Sequence, residues 1–431
     1  MTITTFKPDT AQQLVDTVQW ALSAGEPMEV VGAGTKRRLG RPVQAGYALD
    51  LSALSGVVAY EPEELVLTVR AGTPMAEVLP MLAERRQHFA FEPQDLGPLY
   101  GLPPGGGTVG GMLAAGLAGP RRIQAGSARD HFLGIEGVSG RGELYKGGGK
   151  VVKNVTGYDM PKLMAGSMGT LTAMTEVTLK VLPAPEDART LILTGRDDSA
   201  AVRALTQAMQ SPHEVSGAAH LPASVAARSA VADVAGAGTS VTVVRLEGFG
   251  PSVAARVAAL KDELGADGVL ERDDTLALWR EIRDVSYFAP HPNPPPLGGG
   301  GNSAAGQESP PPPSGGGLGG GNDARLIWKI SVAPSEGPRV AAAIREMAEA
   351  EVYFDWAGGL LWVAAEPGDA DIRRALGDGG HATLMRAPDD VRASVPVFQP
   401  QPEPLAALAA RVKESFDPKR LLNPGRLYAG V

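Results

Sequence analysis

Seven glycines fall within residues 105–119, GGGTVGGMLAAGLAG, where Thr108 is the one hydroxyl-bearing residue. Such a stretch offers amides rather than side chains. Exposed N–H groups can bind phosphate oxygens, and residues without a Cβ let the backbone approach a planar ring. Two more glycine-rich segments share the first 171 residues: VVGAGTK at 30–36 and KLMAGSMGTL at 162–171. Several such loops in one region suggest a large cofactor with a pyrophosphate and a flat ring. Familiar nucleotide motifs do not account for them. Gly32-Ala33-Gly34 opens a GxGxxG pattern, but Arg37 holds the third glycine position and no clear helix follows at once. GGGK ends at Lys150 and is followed by Val151, not the Ser or Thr of a P-loop. Neither a conventional NAD site nor an ATPase is supported.

The elements that must position these loops alternate from the start of the chain. Asp9 or Thr10 can cap a helix whose apolar face is Leu14, Val15, Val18 and Leu22, ending near Gly25. PMEVVGAGTK reads as a short buried strand entering a glycine turn, and ELVLTVRAG alternates like a half-buried strand. Thr73-Pro74 marks a helix start, with Pro74 at its first position. GIEGVSGRGELYKG reads as a hairpin turning at Arg141-Gly142, and LTAMTEVTLKVL as a strand. The run Pro183-Ala184-Pro185 closes this region, so one domain is expected over 1–185 and a second, α+β domain from 186. Its first part, 186–287, holds the strand GTSVTVVRLEGF and the helix PSVAARVAALKDELG. Residues 288–325, rich in proline and glycine, cannot bury enough apolar surface to offset ordering entropy and are expected to be a disordered surface loop joining two adjacent strands. Two similar units, PNPPPLGGGGN and PPPPSGGGLGGGN, suggest a duplicated insertion, and their PxxP spacing could also bind an SH3-like partner. The second domain resumes over 326–431.

Composition narrows the function. A chain of 431 residues with net charge -8 suits a globular protein of two or three domains and disfavours non-specific nucleic-acid binding, which needs clustered Lys and Arg. There is no cysteine, so disulfides, thiolate zinc sites and a cysteine-ligated iron–sulfur cluster of its own are ruled out. With no signal-peptide pattern and no run of about 18 apolar residues, a cytoplasmic protein is expected, or one peripheral at the inner membrane through partners.

In order along the chain, VVGAGTK, GGTVGGMLAAGLAGPRR, GSARDHFLG, GGGKVVKNVTGYDMPKLMAGSMGTLTAMTEVTLKVLP and FDPKRLLNPGRLY resemble FAD-linked oxidases of the vanillyl-alcohol oxidase (PCMH) type. GLAGPRR, WAGG and GGHAT narrow the resemblance to the FAD-binding subunits of bacterial glycolate oxidases. It covers nearly the whole chain outside the Pro/Gly insertion. The resemblance implies an α+β fold: a two-subdomain FAD-binding domain with a C-terminal α+β cap, whose tail returns to the first domain. By the same carry-over, Gly32, Gly34, Thr35 and Lys36 form the pyrophosphate loop. Gly106, Thr108, Gly110 and Gly111 line the flavin and diphosphate, Gly126, Ser127 and Asp130 continue that wall, and Gly166, Ser167, Gly169 and Thr170 lie against the cofactor from the second subdomain. The FAD is expected to be non-covalent, because the chain has no Cys and VVGAGTK has no His. Implied partners are a related FAD-containing catalytic subunit and an iron–sulfur subunit, and the implied substrate is glycolate or another small 2-hydroxy acid. A scaffold role within such a complex and a self-sufficient D-2-hydroxy-acid dehydrogenase, for example for D-lactate, are the alternatives.

Oxidising a 2-hydroxy acid needs a cation for the carboxylate, a base for the hydroxyl proton and a hydride acceptor. The histidine-rich cap motif of related catalytic subunits is absent, leaving His381 in GDGGHATLM as the candidate base, with a structural or surface position as its alternative. Lys153, Asn154, Tyr158 and Asp159 could shape the site or merely dock a turn. Arg121 and Arg122 could bind a carboxylate or phosphate, with a structural or cofactor-edge role favoured. His131 and Trp356 read as packed residues, and Asn423, Pro424, Gly425 and Arg426 as a docking turn.

Overall fold

The computed structural model describes residues 3–149, 157–290, 325–368, 371–377 and 379–430. Most of the Pro/Gly segment, together with Lys153 and Asn154, lies outside the described residues. The chain opens with a three-stranded parallel sheet, ordered Thr4–Phe6, Tyr47–Asp50, Met28–Val31. Helix Ala11–Ala24 packs on it. Thr10, of the two capping candidates, supplies the oxygen that accepts from the Gln13 amide, and Gly25 ends the helix at φ 71°. Leu14, Val18 and Ala21 of this helix share an apolar cluster with Met28, Leu49 and, from the other end of the chain, Leu421 and Leu422.

A five-stranded antiparallel sheet follows, ordered Val57–Glu61, Val66–Arg70, Thr172–Lys180, Phe132–Ser139, Leu144–Gly148. The second strand is more deeply buried than its alternating pattern suggests. Val66, Leu67, Thr68 and Val69 are all buried, because it lies between two other strands and beneath helices Met75–Glu84 and Val109–Ala115. The last two strands form the hairpin, with Gly142 at φ 70° in its turn.

Strand Leu182–Pro183 pairs with Gln87–His88 in the first domain, and Asp187–Thr194 then enters an eight-stranded antiparallel cap sheet. The cap order is Gly268–Leu270, Asp187–Thr194, Val241–Gly248, Val215–Leu221, Ala350–Asp355, Leu360–Ala365, Leu326–Ser331, His381–Arg386. One face is covered by helices Asp198–Gln210, Gly250–Leu264 and Gly337–Met347. The other carries Ile327, Tyr353, Leu360, Trp362 and Met385, which pack in one cluster with Leu39, Leu96, Leu99, Tyr100, Leu117 and Met168 of the first domain. The element before residue 291 is not the expected strand. Helix Arg272–Arg283 buries Thr275, Leu278, Trp279 and Ile282 at helical spacing and is followed by the turn Ser286–Phe288.

Helix Glu403–Phe416 precedes a tail that returns to the first domain, where the Met28 amide donates to the Leu421 carbonyl. Lys413 fixes this return. Its buried ammonium donates to the carbonyls of Thr170 (2.6 Å) and Leu422 (2.9 Å) and to the Asp417 carboxylate (2.7 Å), which also accepts from the Leu421 and Leu422 amides. None of the described helices is long and apolar enough to cross a membrane.

Candidate functional site

Strand Met28–Val31 delivers the chain into the turn Gly32–Lys36, with Gly34 at φ 77°. The amides of Ala33, Gly34, Thr35 and Lys36 donate to no acceptor among the described residues. The turn rests on Thr108, which caps helix Val109–Ala115 by accepting from the Gly111 amide at 3.2 Å. A Cβ on Gly32 would stand 2.6 Å from the Thr108 hydroxyl oxygen, so only glycine fits there. The third loop reaches the same helix: the amides of Gly166 and Met168 donate to the carbonyls of Leu113 and Ala114.

Between these three loops lie two adjoining cavities of about 70 Å³ each. Both are lined by Val30, Val31, Gly32, Thr108, Gly111, Ala114 and Met168. The first extends to Gly34, Thr35, Lys36, Arg37 and Arg426, and the second to Gly110, Gly169, Thr172 and Met174. The glycine-rich segments therefore form one apolar slot with a basic, amide-rich end. Arg37 is paired with Glu29, whereas Lys36 makes no ion pair within 4 Å among the described residues. Burial pulls the Lys36 ammonium below its ordinary value, with Asp95 acting weakly against this. Free amides beside an unpaired ammonium are the donor set a diphosphate requires.

The sequence-derived positions divide into two groups. Gly32, Gly34, Thr35, Lys36, Thr108, Gly110, Gly111 and Gly169 line the cavities. The others brace the walls. Gly106 lies beside Thr35. Ser127 and Asp130 form a reciprocal cap on the short helix Ala128–His131, where the Asp130 carboxylate accepts from the Ser127 amide and hydroxyl at 2.8 Å each and is held below its usual value by them. A Cβ on Gly126 would meet that same carboxylate at 2.9 Å. Gly116, where a Cβ would stand 2.9 Å from the Gly166 Cα, lets Gly166 approach, Thr170 donates to the Ser167 carbonyl, and the Ser167 hydroxyl is buried without a partner among the described residues. The glycines on the wall also have a structural role: Gly110 lies on Ala71, where a Cβ would stand 2.8 Å from the Ala71 Cβ and carbonyl oxygen. Sequence reasoning read Arg426 only as part of a docking turn. It donates to the Lys36 carbonyl at 2.7 Å and lines the cavity, while Asn423 bonds Val30 and Met168.

His381 is not brought to this slot. It is exposed at the start of an edge strand of the cap sheet, and neither cavity touches it. Asp159 caps helix Met160–Met164, Tyr158 is exposed, and the buried His131 bonds the Ala125 carbonyl.

The seam between the two domains holds the charges that motif reasoning missed. Glu92 receives a bidentate pair from Arg245 (2.8 and 2.9 Å) and the Arg121 amide (2.7 Å), while the Arg121 guanidinium pairs with Glu247 and donates to His88. Burial and then the Arg121 charge lower His88 to about 4, so it is neutral at pH 7. Arg121 is thus committed to structure. Arg122 instead lies over the Trp356 ring, 4.8 Å from its centroid, and the Trp356 indole N–H donates to the Gly119 carbonyl. Asp355, buried beside them, accepts from the Trp356 amide. Burial raises its carboxyl to about 7 against the pull of that bond, with Glu92 raising it further.

The family model described as "FAD binding domain" matches residues 4–148, the segment that supplies the first two loops. The glycolate oxidase subunit GlcE of Escherichia coli (strain K12) is 32% identical over 427 residues, covering 98% of each chain. The glycolate oxidase subunit GlcD of Bacillus subtilis (strain 168) is 28% identical over 181 residues, 42% of this chain and 37% of that one. The crystal structure of p-cresol methylhydroxylase with substrate bound superposes with TM-score 0.66, at 14% identity, over 99% of this chain and 88% of that one, so the fold is of the PCMH type. With a matching FAD domain at its amino-terminal end and similarity along its whole length, the chain belongs to the family of the glycolate oxidase subunit GlcE and is an FAD-binding member of the FAD-linked oxidoreductases.

Proposed function

We propose that this chain is the FAD-carrying subunit of a multi-subunit enzyme that oxidises glycolate to glyoxylate and passes the electrons to an iron–sulfur partner. The observation that carries this reading is the end-to-end similarity to GlcE. In the proposed complex the free amides of Ala33 to Lys36 and the Lys36 ammonium hold the diphosphate, and Gly110, Gly111 and Met168 border the ring. The absence of cysteine, and of any described histidine from the cavity wall, supports non-covalent attachment. Bound FAD supplies a two-electron acceptor. The chain's residues supply the rest: a largely apolar wall against the ring, and charges at the cap seam that orient an anion. Two electrons and two protons leave glycolate in the reaction.

The test is to purify the chain with its partner subunits and add glycolate under anaerobic conditions with a dye acceptor. Dye reduction that requires all subunits is expected, and a complete, flavin-loaded complex inert to glycolate would refute the reading. A scaffold role is the second reading, favoured by the exposed position of His381. It requires that this chain's own flavin stay oxidised while the complex turns over.

A further inference from the structure

Strand Leu326–Ser331 lies inside the cap sheet, between Leu360–Ala365 and His381–Arg386. Its side chains alternate between two environments. Leu326, Trp328 and Ile330 enter the core under helix Gly337–Met347, while Ile327 enters the cluster shared with the first domain. Lys329 has the parity of Ile327, so it faces the seam. Ile327, Trp328 and Ile330 are buried, yet Lys329 is only partly so, which means that solvent reaches the seam at this point. An ammonium there needs acceptors for three N–H groups. Lys329 has neither an ion pair nor a hydrogen bond among the described residues. Its Nζ lies 5.1 Å from the Trp356 ring centroid and 5.8 Å from that of Trp362. Arg122 adds a second positive charge against the same Trp356 ring, and the one carboxylate acting on Lys329 is Asp355, beyond ion-pair distance. Ala115 and Met168 line the cavity that holds Lys36 and also pack in the cluster that holds Ile327 and Trp362, so the cluster connects the seam to the cofactor slot.

We propose that Lys329, with Arg122 beside it, binds the carboxylate of a small organic acid at the seam between the cap sheet and the FAD-binding domain, the partly exposed Trp356 ring forming a flat wall of the site. The proposal rests on the 2-hydroxy-acid reading for the identity of the acid. Three features favour this role over a structural one: the ammonium lacks acceptors among the described residues, the lysine side chain is only partly covered, and the neighbouring Arg122 guanidinium would repel it unless an anion lay between or beside them. Burial, followed by Arg122, lowers the ammonium to about 8, so most of it is protonated at neutral pH and able to pair. A carboxylate docking there replaces solvent as the missing acceptor.

The experiment is isothermal titration calorimetry on the FAD-loaded full chain with glycolate, acetate and inorganic phosphate in turn, comparing wild type, Lys329→Met, Lys329→Arg and Lys419→Met, whose lysine is exposed far along the chain. Flavin content and melting temperature verify that each variant is folded. The expected result is carboxylate binding by wild type and Lys419→Met, at least tenfold weaker in Lys329→Met and partly restored in Lys329→Arg. Carboxylate binding unchanged in Lys329→Met, no carboxylate binding by wild type, or preference for phosphate over both acids overturns the site. The assembled complex separates this from failure of the functional reading. Glycolate turnover with unchanged KM in a Lys329→Met complex removes the site and leaves the reading standing. Carboxylate binding through Lys329 in a complete complex inert to glycolate removes the reading and leaves the site.

Discussion

Glu92→Gln tests whether the cap is held on the FAD-binding domain by the charge network at the seam. Glu92 belongs to the first domain and Arg245 to the cap, and the bidentate pair between them closes over a partly buried carboxylate that also accepts the Arg121 amide. Burial alone would raise the Glu92 carboxyl, but Arg245, Arg121 and their hydrogen bonds outweigh it and hold the group at about 2, against an ordinary 4.5. At 1.36 kcal/mol per pH unit, that drop corresponds to about 3 kcal/mol of stability carried by the ionised form. Because the folded carboxyl lies below its unfolded value, this contribution is complete above pH 4.5 and is lost as pH falls from 4.5 towards 2. The neutral amide has nearly the same shape but leaves Arg245 and Arg121 without their shared anion, consistent with the roughly 3 to 5 kcal/mol cost of breaking a buried pair. Urea unfolding of the FAD-loaded chain at pH 7, 5, 4 and 3 measures the difference between wild type and Glu92→Gln directly. The expected difference is about 3 kcal/mol at pH 7 and shrinks steadily below pH 4.5. A difference under 1 kcal/mol at pH 7, or one that does not change down to pH 3, would refute the reasoning.

Further predictions concern the slot, the seam and the tail. Lys36→Met should weaken FAD binding at least tenfold while leaving the apo chain as stable as before or more so, because burial already disfavours the ammonium; fluorescence titration with FAD and an apo melt check both parts. Gly110→Ala should lower the melting temperature of the apo chain as well as its flavin content, since its Cβ meets Ala71 at 2.8 Å; flavin loss with an unchanged apo melt would contradict the packing role. Asp355→Asn should stabilise the protein by up to about 4 kcal/mol at pH 8 and not at all near pH 3.5, because a carboxyl raised from 3.8 to about 7 penalises the folded state only where it must ionise; unfolding curves at the two pH values decide this. Lys413→Met should cost about 3 to 5 kcal/mol by leaving Asp417 buried and unpaired, and should release the tail that carries Asn423 and Arg426 to the slot; faster proteolysis after residue 417 is the accompanying signature.

Features that depend on local chemistry were legible in the sequence. The glycine turn after Val31, the glycine-rich stretch around Thr108 and the loop around Gly169 could be found because amide-rich backbone needs glycine, and these segments do meet at one slot. Tertiary placement was not legible. Ser127 and Asp130 have the residue types of a ligand wall but satisfy each other across one turn of helix, a pattern that a sequence shows equally well for either role. The strand Val66–Arg70, buried from Val66 to Val69, and the helix before residue 291 depend on which neighbours cover them, information that lies outside their own windows. Lys329 carried no motif at all. Its place at the seam follows from strand parity in an antiparallel sheet, between Leu360–Ala365 and His381–Arg386, and one visible hint was a lysine amid the apolar residues of RLIWKISVAP.

The most direct test of the central claim is the absorbance spectrum of the purified chain before and after acid precipitation. FAD binding in the slot predicts one flavin per chain, released intact into the supernatant because no covalent link holds it. A chain that shows no flavin band even after refolding with excess FAD would contradict the account.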